Sequence, residues 1–249
     1  MSATKSERET TTKLAQGVRK TRAHQGVDGR RSMNIFALAC DPKEAAEMHC
    51  DQHVCKMIIE TAQILYTYLN SIGELLRLVL TTVHGDVLDP YKPTHANHPC
   101  VLWLHGGRSH FDWLVELGLC LCDRYEQIYN KVHKTWEHLF ALRTWVYPER
   151  LPDDCLADEW LSRLEARGVN PKVRSACAAK VCLTNPPNGC NFGVACMSDD
   201  TVPLECDADG DFNLVATYRN LYAHKNAVMF RMKWRKICKP PHKLRRHMV

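Results

Sequence analysis

DPKEAAEMHCDQHVCKMIIETAQILYTYLN, residues 41–70, decides the fold class. Asp41 is a good N-cap, Pro42 fits the first helical position, and Glu44 stands where a capping box places its acid. Apolar residues such as Ile58 and Leu65 follow along one side of the expected helix. We therefore predict one long helix from this cap to about Asn70.

Other segments also favour helices and give little indication of strand. Residues 33–38 predict a short buried strand or extended segment, and residues 84–99 predict a loop rich in turn residues. A final helix is expected to begin at Asp211. The fold class predicted is mainly α, a compact multi-helix single domain with little strand. The remaining predicted elements are a helix or strand over 74–83 and helices over 99–104, 109–131 (capped by Ser109), 133–145 and 158–167.

Charge is concentrated at the two ends of the chain. Residues 1–32 carry eight Lys/Arg against three acids, and residues 231–249 carry eight and no acid. The ends therefore hold +5 and +8, and since the whole chain is +5, the middle holds −8. Basic ends on an acidic body predict arms that meet a polyanion, although solubilising tails have the same composition.

These features divide the chain into three parts. Residues 1–32 lack hydrophobic periodicity and are predicted to be a disordered basic tail. Residues 33–235 are predicted to be a helical core domain, with an irregular insert at about 146–210 where prolines are frequent. Residues 236–249 form a basic C-terminal tail.

Composition excludes two protein classes. No apolar run approaches the roughly 18 residues that a membrane helix needs, and the N-terminus lacks the apolar core of a secretory signal. Thirteen cysteines, an odd number, with several inside expected helices, indicate reduced thiols rather than a disulfide framework. We expect an intracellular protein, in host cytoplasm, nucleus or virion, with no membrane partner.

The strongest candidate for chemistry is a polar stripe on the first helix. His49, His53, Lys56, Glu60 and Gln63 follow one another at spacings of 4, 3, 4 and 3. At about 100° per residue they fall within roughly 80° of the helix circumference. Imidazole, ammonium and carboxylate groups that shift each other's pKa are suited to acid–base catalysis. The alternative is an ordinary solvated face.

Other polar residues are candidates for binding nucleic acid. Lysine and arginine contact phosphates, and tyrosine stacks on unpaired bases. The alternatives are a rigid turn for the loop residues and core packing for the tyrosines. The candidates besides Lys56 are Lys92, His95 and His98 in the loop, Lys131 and His133, and Tyr218, Arg219, Tyr222 and Lys225 in the final helix.

Metal and cofactor motifs are weak. Cys177, Cys182, Cys190, Cys196 and Cys206 contain no C-x-x-C pair, and no phosphate-binding glycine motif is present. We therefore expect no metal and no cofactor, and the oligomeric state is left open.

Several sequence blocks resemble a family of mostly uncharacterised proteins from tailed phages and large DNA viruses. The similarity covers residues 33–145 and 197–235, whereas the N-terminal extension and the insert depart from it. The blocks are Met33-Asn-Ile-Phe, Asp41-Pro, residues 50–63, residues 91–100 (YKPTHANHPC), residues 111–119 (FDWLVELGL), Lys131-Val-His-Lys and Tyr218-Arg-Asn-Leu-Tyr.

Asp51-Gln-His53 followed by Glu60 is also similar to the first helix of phage pyrimidine-dimer DNA glycosylases. In that family a histidine and a glutamate seven residues apart serve base excision, and the free N-terminal amine is the nucleophile. The resemblance implies catalytic roles for Glu60 and His53. Because 32 residues precede Met33, we expect no covalent chemistry from the N-terminal amine.

Together these observations predict a DNA-acting enzyme that excises damaged or modified pyrimidines. Glu60 would stabilise the sugar cation or activate water, while His53 and His49 would orient phosphate or sugar. Two alternatives remain open: an enzyme that processes nucleotides or modified bases, and a non-catalytic nucleic-acid-binding viral protein.

Overall fold

The structure is a computed structural model that describes residues 33–145, 154–178, 180–183, 193–196, 202–208, 210, 212–229 and 231–235. The predicted tails over 1–32 and 236–249 lie outside these residues, as do Cys190 and Asp211. The described part is mainly α-helical, as predicted. Its helices are α1 (Pro42–Met48), α2 (Asp51–Ser71), α3 (Pro99–Trp103), α4 (Arg108–Tyr129), α5 (Trp136–Thr144), α6 (Ala157–Ala166), α7 (Pro171–Ala178) and α8 (Leu214–His224).

Strand structure is short. β1 (Val181–Cys182) pairs antiparallel with β2 (Gly193–Val194). Residues 33–38 are extended and buried, but they form no strand. Among the described residues, no helix is both long and apolar enough to cross a lipid bilayer.

The centre of the fold is the packing of α4 against α2. Gly118 permits this close approach: a Cβ there would lie 2.9 Å from Cγ2 of Thr61 and from a methyl of Leu139 on α5. The core predicted for α4 is confirmed, since Phe111, Leu114, Leu117, Leu121 and Ile128 are buried. Tyr125 is only partly buried.

The predicted cap of the first helix is confirmed, but the helix is shorter than predicted. The Asp41 carboxylate accepts the Glu44 backbone N–H at 2.9 Å. The predicted end near Asn70 is confirmed, since α2 ends at Ser71. The predicted continuity is wrong, because the chain leaves helical geometry at His49 (φ −66°, ψ 135°) and starts again at Asp51. Trp234 explains the break, since its Nε1 donates to the Met48 carbonyl at 3.1 Å. The Asp51 N–H likewise donates to the Lys233 carbonyl at 2.8 Å.

Three other boundaries differ from prediction. Residues 74–83 form only a short 3₁₀ turn at Leu75–Arg77, and Leu76 is 94% exposed. Gly107, not Ser109, is the N-cap of α4, and the Ser109 N–H donates to Asp154 Oδ1 at 2.8 Å. Asn213 caps α8 by accepting the Ala216 N–H at 2.9 Å.

The described part of the segment predicted to be an irregular insert contains the helix predicted over 158–167, which is α6. It also contains α7 and the strand pair, which were not predicted, and Trp160 and Leu164 of α6 are buried in the core. The expectation of reduced thiols is wrong at Cys40, which is disulfide-bonded. It is confirmed at the cysteines that are free thiols among the described residues: Cys50, Cys55, Cys100, Cys120, Cys122, Cys155, Cys177, Cys196 and Cys206.

Candidate active site

A carboxylate lies at the centre of the polar residues on α2. Glu60 Oε1 lies 3.1 Å from Lys56 Nζ, one helical turn away. Its Oε2 accepts the backbone N–H of Asn34 at 3.1 Å. The Glu60 side chain is only 11% exposed, whereas that of Lys56 is 53% exposed. The carboxylate is therefore reached from solvent beside the Lys56 ammonium.

Burial raises the pKa of Glu60, and Lys56, the Asn34 N–H and Lys225 oppose that shift. The effect of burial is the largest, because removing a carboxylate from water penalises its charged form. A carboxyl group of raised pKa beside an ammonium is suited to exchanging a proton with a bound molecule.

Lys225 places a second amine near enough to this carboxylate to interact with it electrostatically. It begins a π-helical turn, Lys225–Met229, that directly follows α8. Its Nζ lies over the Phe36 ring, 4.8 Å from the centroid. Burial, and then the nearby Lys56 charge, lower the pKa of Lys225, while Glu60 favours its charged form. π-helical turns often occur at functional sites because they redirect side chains.

His53 completes the group that we call the Glu60 cluster: Asn34, His53, Lys56, Glu60 and Lys225. Its Nδ1 lies 2.7 Å from the Tyr222 hydroxyl, and its ring stacks on Phe36 at 4.8 Å. Burial, and then Lys225, lower the pKa of His53 to about 2. His53 is therefore neutral near pH 7, where it exchanges hydrogen bonds but carries no charge.

His49 is near these aromatic rings but lies on a different element from the one predicted. It terminates α1, is fully buried, and its ring bonds the Ala45 carbonyl at 2.7 Å. Burial lowers the pKa of His49 to about 4. The sequence predicted that neighbouring groups suit both imidazoles to acid–base catalysis. Burial instead lowers the pKa of both, and the nearby Lys225 and Lys56 charges lower that of His53 further.

The tyrosines of α8 are core residues. Tyr218 and Tyr222 are fully buried, so the predicted stacking on unpaired bases is wrong for this conformation. The Tyr218 hydroxyl instead accepts the Cys196 N–H at 3.1 Å and lies 2.8 Å from Asn34 Oδ1. Arg219 Nε donates to the Leu38 carbonyl at 2.8 Å. These bonds hold the segment over 33–38 against α8.

The other predicted binding residues are dispersed. Lys92 and His95 are exposed in the loop, and Lys131 is exposed after α4. His133 packs edge-on against Tyr125, with ring centroids 4.8 Å apart. Among the described residues, no contact joins these four to the Glu60 cluster, so their binding roles remain predictions.

His98 is the loop residue that lies beside the cluster. It caps α3 by accepting the Cys100 N–H at 3.2 Å, and Cys100 interacts electrostatically with Glu60. Cys100 Sγ lies 3.2 Å from Cys196 Sγ. One ligand atom from each of His98, Cys100 and Cys196 lies within 4.8 Å of the others. These three residues have the ligand types and spacing to hold a metal ion.

Sequence reasoning missed Asn34, Phe36 and Cys100 as site residues. Asn34 had a detectable signal, because a polar residue inside an apolar buried segment needs a partner. Phe36 and Cys100 had none, since their partners come from distant parts of the chain.

An open groove of about 690 Å³ lies where the segment over 231–235 crosses the start of α2. Arg231 and Lys233 are exposed there. Arg235 lies over the Tyr129 ring, 5.1 Å from its centroid, and pairs with Asp51 at 3.4 Å. The groove is thus basic and aromatic. Its lining residues are Asp51, Gln52, Tyr129, Arg231, Met232, Lys233, Trp234 and Arg235.

Comparisons with protein-family models, with curated proteins and with solved structures returned no match.

Proposed function

We propose that this protein is an intracellular DNA-acting enzyme that excises a damaged or modified pyrimidine by cleaving its N-glycosidic bond. One observation carries the proposal: the sheltered Glu60 carboxylate is held between a backbone N–H and an ammonium, and it also interacts electrostatically with the Lys225 amine. A carboxylate in a site of low water content stabilises positive charge that develops in a transition state.

The residues of the Glu60 cluster suit each step of such a reaction. As the glycosidic bond breaks, its electron pair leaves with the base and positive charge develops at the sugar C1′. Glu60 stabilises that charge and takes a proton from the attacking water. The oxygen then bonds C1′, and the proton passes to the departing base. The products are a free base and an abasic sugar, so no oxidant or covalent intermediate is required.

The amines supply the electrostatics for a polyanion. Lys56 and Lys225 pair with phosphates of the bound strand, which turns Glu60 toward the sugar. The basic groove begins at Asp51, nine residues before Glu60 on the same helix, or about 13.5 Å along its axis. A strand that follows this helix would therefore pass both features. Because Glu60 is sheltered, a duplex must flip out the target nucleotide.

The test is base release from duplexes that carry a pyrimidine dimer or a 5-substituted pyrimidine. Glu60→Gln keeps the volume and the acceptor for the Asn34 N–H but removes the charge. We expect its rate of base release to fall about 10²–10⁴-fold. Glu126→Gln is the matched control, since Glu126 is an exposed glutamate on α4. Equal activity in wild type and Glu60→Gln would reject the assigned role.

A second candidate is an enzyme on free nucleotides or modified bases. The sheltered position of Glu60 favours it, because a small substrate enters such a site without base flipping. Turnover of a nucleotide, with no release from DNA, would support this candidate. Salt-dependent DNA binding without turnover of either substrate would support a non-catalytic viral DNA-binding protein.

A further inference from the structure

We propose that His98, Cys100 and Cys196 bind one zinc ion, which leaves the fourth ligand position to water or substrate. The three ligand atoms lie within 4.8 Å of one another. Two thiolates and one imidazole suit zinc better than the oxygen-preferring calcium or magnesium. Three protein ligands with one exchangeable position are typical of catalytic rather than structural zinc sites. This inference goes beyond the proposed function, which requires no metal.

The two sulfur atoms are brought together by the tertiary fold. Cys100 lies in the first turn of α3 and Cys196 follows β2, 96 residues later, yet their Sγ atoms are 3.2 Å apart. Zinc–sulfur bonds of about 2.3 Å in a tetrahedron place two sulfurs about 3.8 Å apart. Binding zinc therefore requires the sulfurs to separate by about half an ångström, which a rotation of either side chain provides.

Both ring nitrogens of His98 make hydrogen bonds. The Nδ1 lone pair accepts the Cys100 N–H at 3.2 Å, so zinc bound at this nitrogen would displace that amide. A ring N–H of His98 donates to the Met33 carbonyl. Zinc-binding histidines commonly donate their second ring N–H to a carbonyl, which fixes the tautomer and the ring plane.

Backbone and side-chain bonds also fix the two cysteines. The Ile35 N–H is directed at the Cys100 sulfur. The Tyr218 hydroxyl accepts the Cys196 N–H at 3.1 Å, and Asn34 Nδ2 donates to the Cys196 carbonyl at 3.2 Å. Asn34 also donates its own N–H to Glu60. The proposed zinc site and the carboxylate therefore share one positioning residue.

Metal content of the full-length protein tests the proposal without any DNA substrate. The protein is purified from zinc-supplemented medium without chelator, desalted, and measured for zinc by mass spectrometry. We expect about one zinc per chain in wild type and in the control Cys122→Ala, a buried thiol of α4. We expect Cys100→Ser and Cys196→Ser to lose the bound zinc.

Cobalt titration of the metal-free wild type gives a second measurement that needs no variant to fold. Thiolate-to-cobalt charge-transfer bands that saturate at one equivalent, and that zinc then abolishes, would support the site. Wild type that holds no more zinc than Cys196→Ser, or gives no cobalt bands, would overturn it. A Cys100–Cys196 disulfide in protein prepared without oxidant would also overturn it. Base release by zinc-free protein would leave the proposed function standing, so the two proposals fail separately.

Discussion

The protein buries polar groups in two places, and the partners of those groups differ. In the Glu60 cluster, side chains contact other side chains: Lys56 pairs with Glu60, and His53 meets Tyr222. We define a second group, the His105 cluster, as His105, His110, Cys155, Trp160 and Arg163. There most described hydrogen bonds join a side chain to a backbone carbonyl: Arg163 donates to His105 at 3.2 Å, Trp160 to Leu102 at 2.9 Å, and the His110 ring to Leu183 at 3.2 Å. Two contacts are between side chains, since Arg163 pairs with Glu159 at 2.6 Å and His105 Nε2 lies 3.4 Å from Ser71 Oγ.

This difference separates a structural role from a functional one. A side chain bonded to a distant carbonyl joins two chain segments and leaves little capacity for a ligand. A carboxylate paired with a half-exposed ammonium can exchange that partner for a phosphate or a sugar. Both clusters contain histidines of lowered pKa, so a shifted pKa does not by itself identify the functional cluster. The His105 cluster should therefore govern stability, and the Glu60 cluster should govern activity.

Gly106→Ala should give the largest stability effect. A Cβ at this position would overlap the ring of His110, which is fully buried and packs edge-on against Trp103 at 4.9 Å. The ring has no free space, so overpacking should cost about 1–3 kcal/mol or more of unfolding free energy. Chemical denaturation measures this loss. The control is Ser175→Ala, which changes an exposed position of α7. Gly210→Ala is unsuitable as a control, because Gly210 has a positive φ that strains any other residue. A Gly106→Ala variant as stable as wild type would contradict the tight packing of the His105 cluster.

Acid should destabilise the protein through its buried histidines. Burial, and then Arg167, lower the pKa of His105 to about 3. Its folded pKa is below the unfolded value of about 6.5, so the stabilisation is present above that pH and is lost as pH falls toward 3. Each such histidine removes about 1.4 kcal/mol per pH unit once pH is well below 6.5. Melting temperatures from pH 7.5 to 5 should therefore fall less steeply for His105→Gln than for wild type. The exposed His84, changed to Gln, should leave the slope unaltered.

Much of the fold is predictable from local sequence, and most of the site is not. The cap at Asp41 and the apolar spacing of α4 depend on residues within one or two helical turns of each other. Both features can therefore be predicted from the sequence. The break at His49 depends on Trp234, a residue 185 positions later. Within the polar stripe, helical spacing brings Lys56 and Glu60 into an ion pair. His53 lies on the same helix but bonds Tyr222, so its shared role with Glu60 stays a prediction.

The remaining site residues come from parts of the chain that are distant from the polar stripe. Tertiary packing brings Cys196 to Cys100 and places Lys225 near enough to Glu60 for an electrostatic interaction. No sequence spacing indicates either pair. The pKa of His53 was also not predictable from the sequence. Burial is the largest cause of its lowered pKa, and the spacing of residues along the helix does not show how deeply His53 is buried. The resemblance to pyrimidine-dimer glycosylases remains a hypothesis for the assay of base release.

Glu60→Gln should affect stability in the opposite direction from Gly106→Ala. Burial raises the pKa of Glu60, so ionisation disfavours the folded state. Wild type therefore loses part of its stability as pH rises through that folded pKa, whereas glutamine has no charge to lose or gain. The melting temperature of Glu60→Gln minus that of wild type should become more positive between pH 5 and pH 8. A difference that becomes more negative as pH rises would mean that the pair with Lys56 outweighs burial.

Lys56→Gln should give the smallest stability effect and thus the sharpest separation of the two roles. The Lys56 side chain is 53% exposed, and pairs of this kind on a helix contribute about 0.3–0.5 kcal/mol. Lysine precedes glutamate in the pair, which is the weaker orientation. If Lys56 contacts a phosphate, its removal should reduce the log–log salt slope of DNA affinity by about 0.9. Lys43→Gln, an exposed lysine of α1, should leave that slope unchanged. Equal salt slopes of DNA affinity for Lys56→Gln and Lys43→Gln would show that Lys56 only neutralises Glu60. The bound DNA strand would then have to follow another surface of the protein.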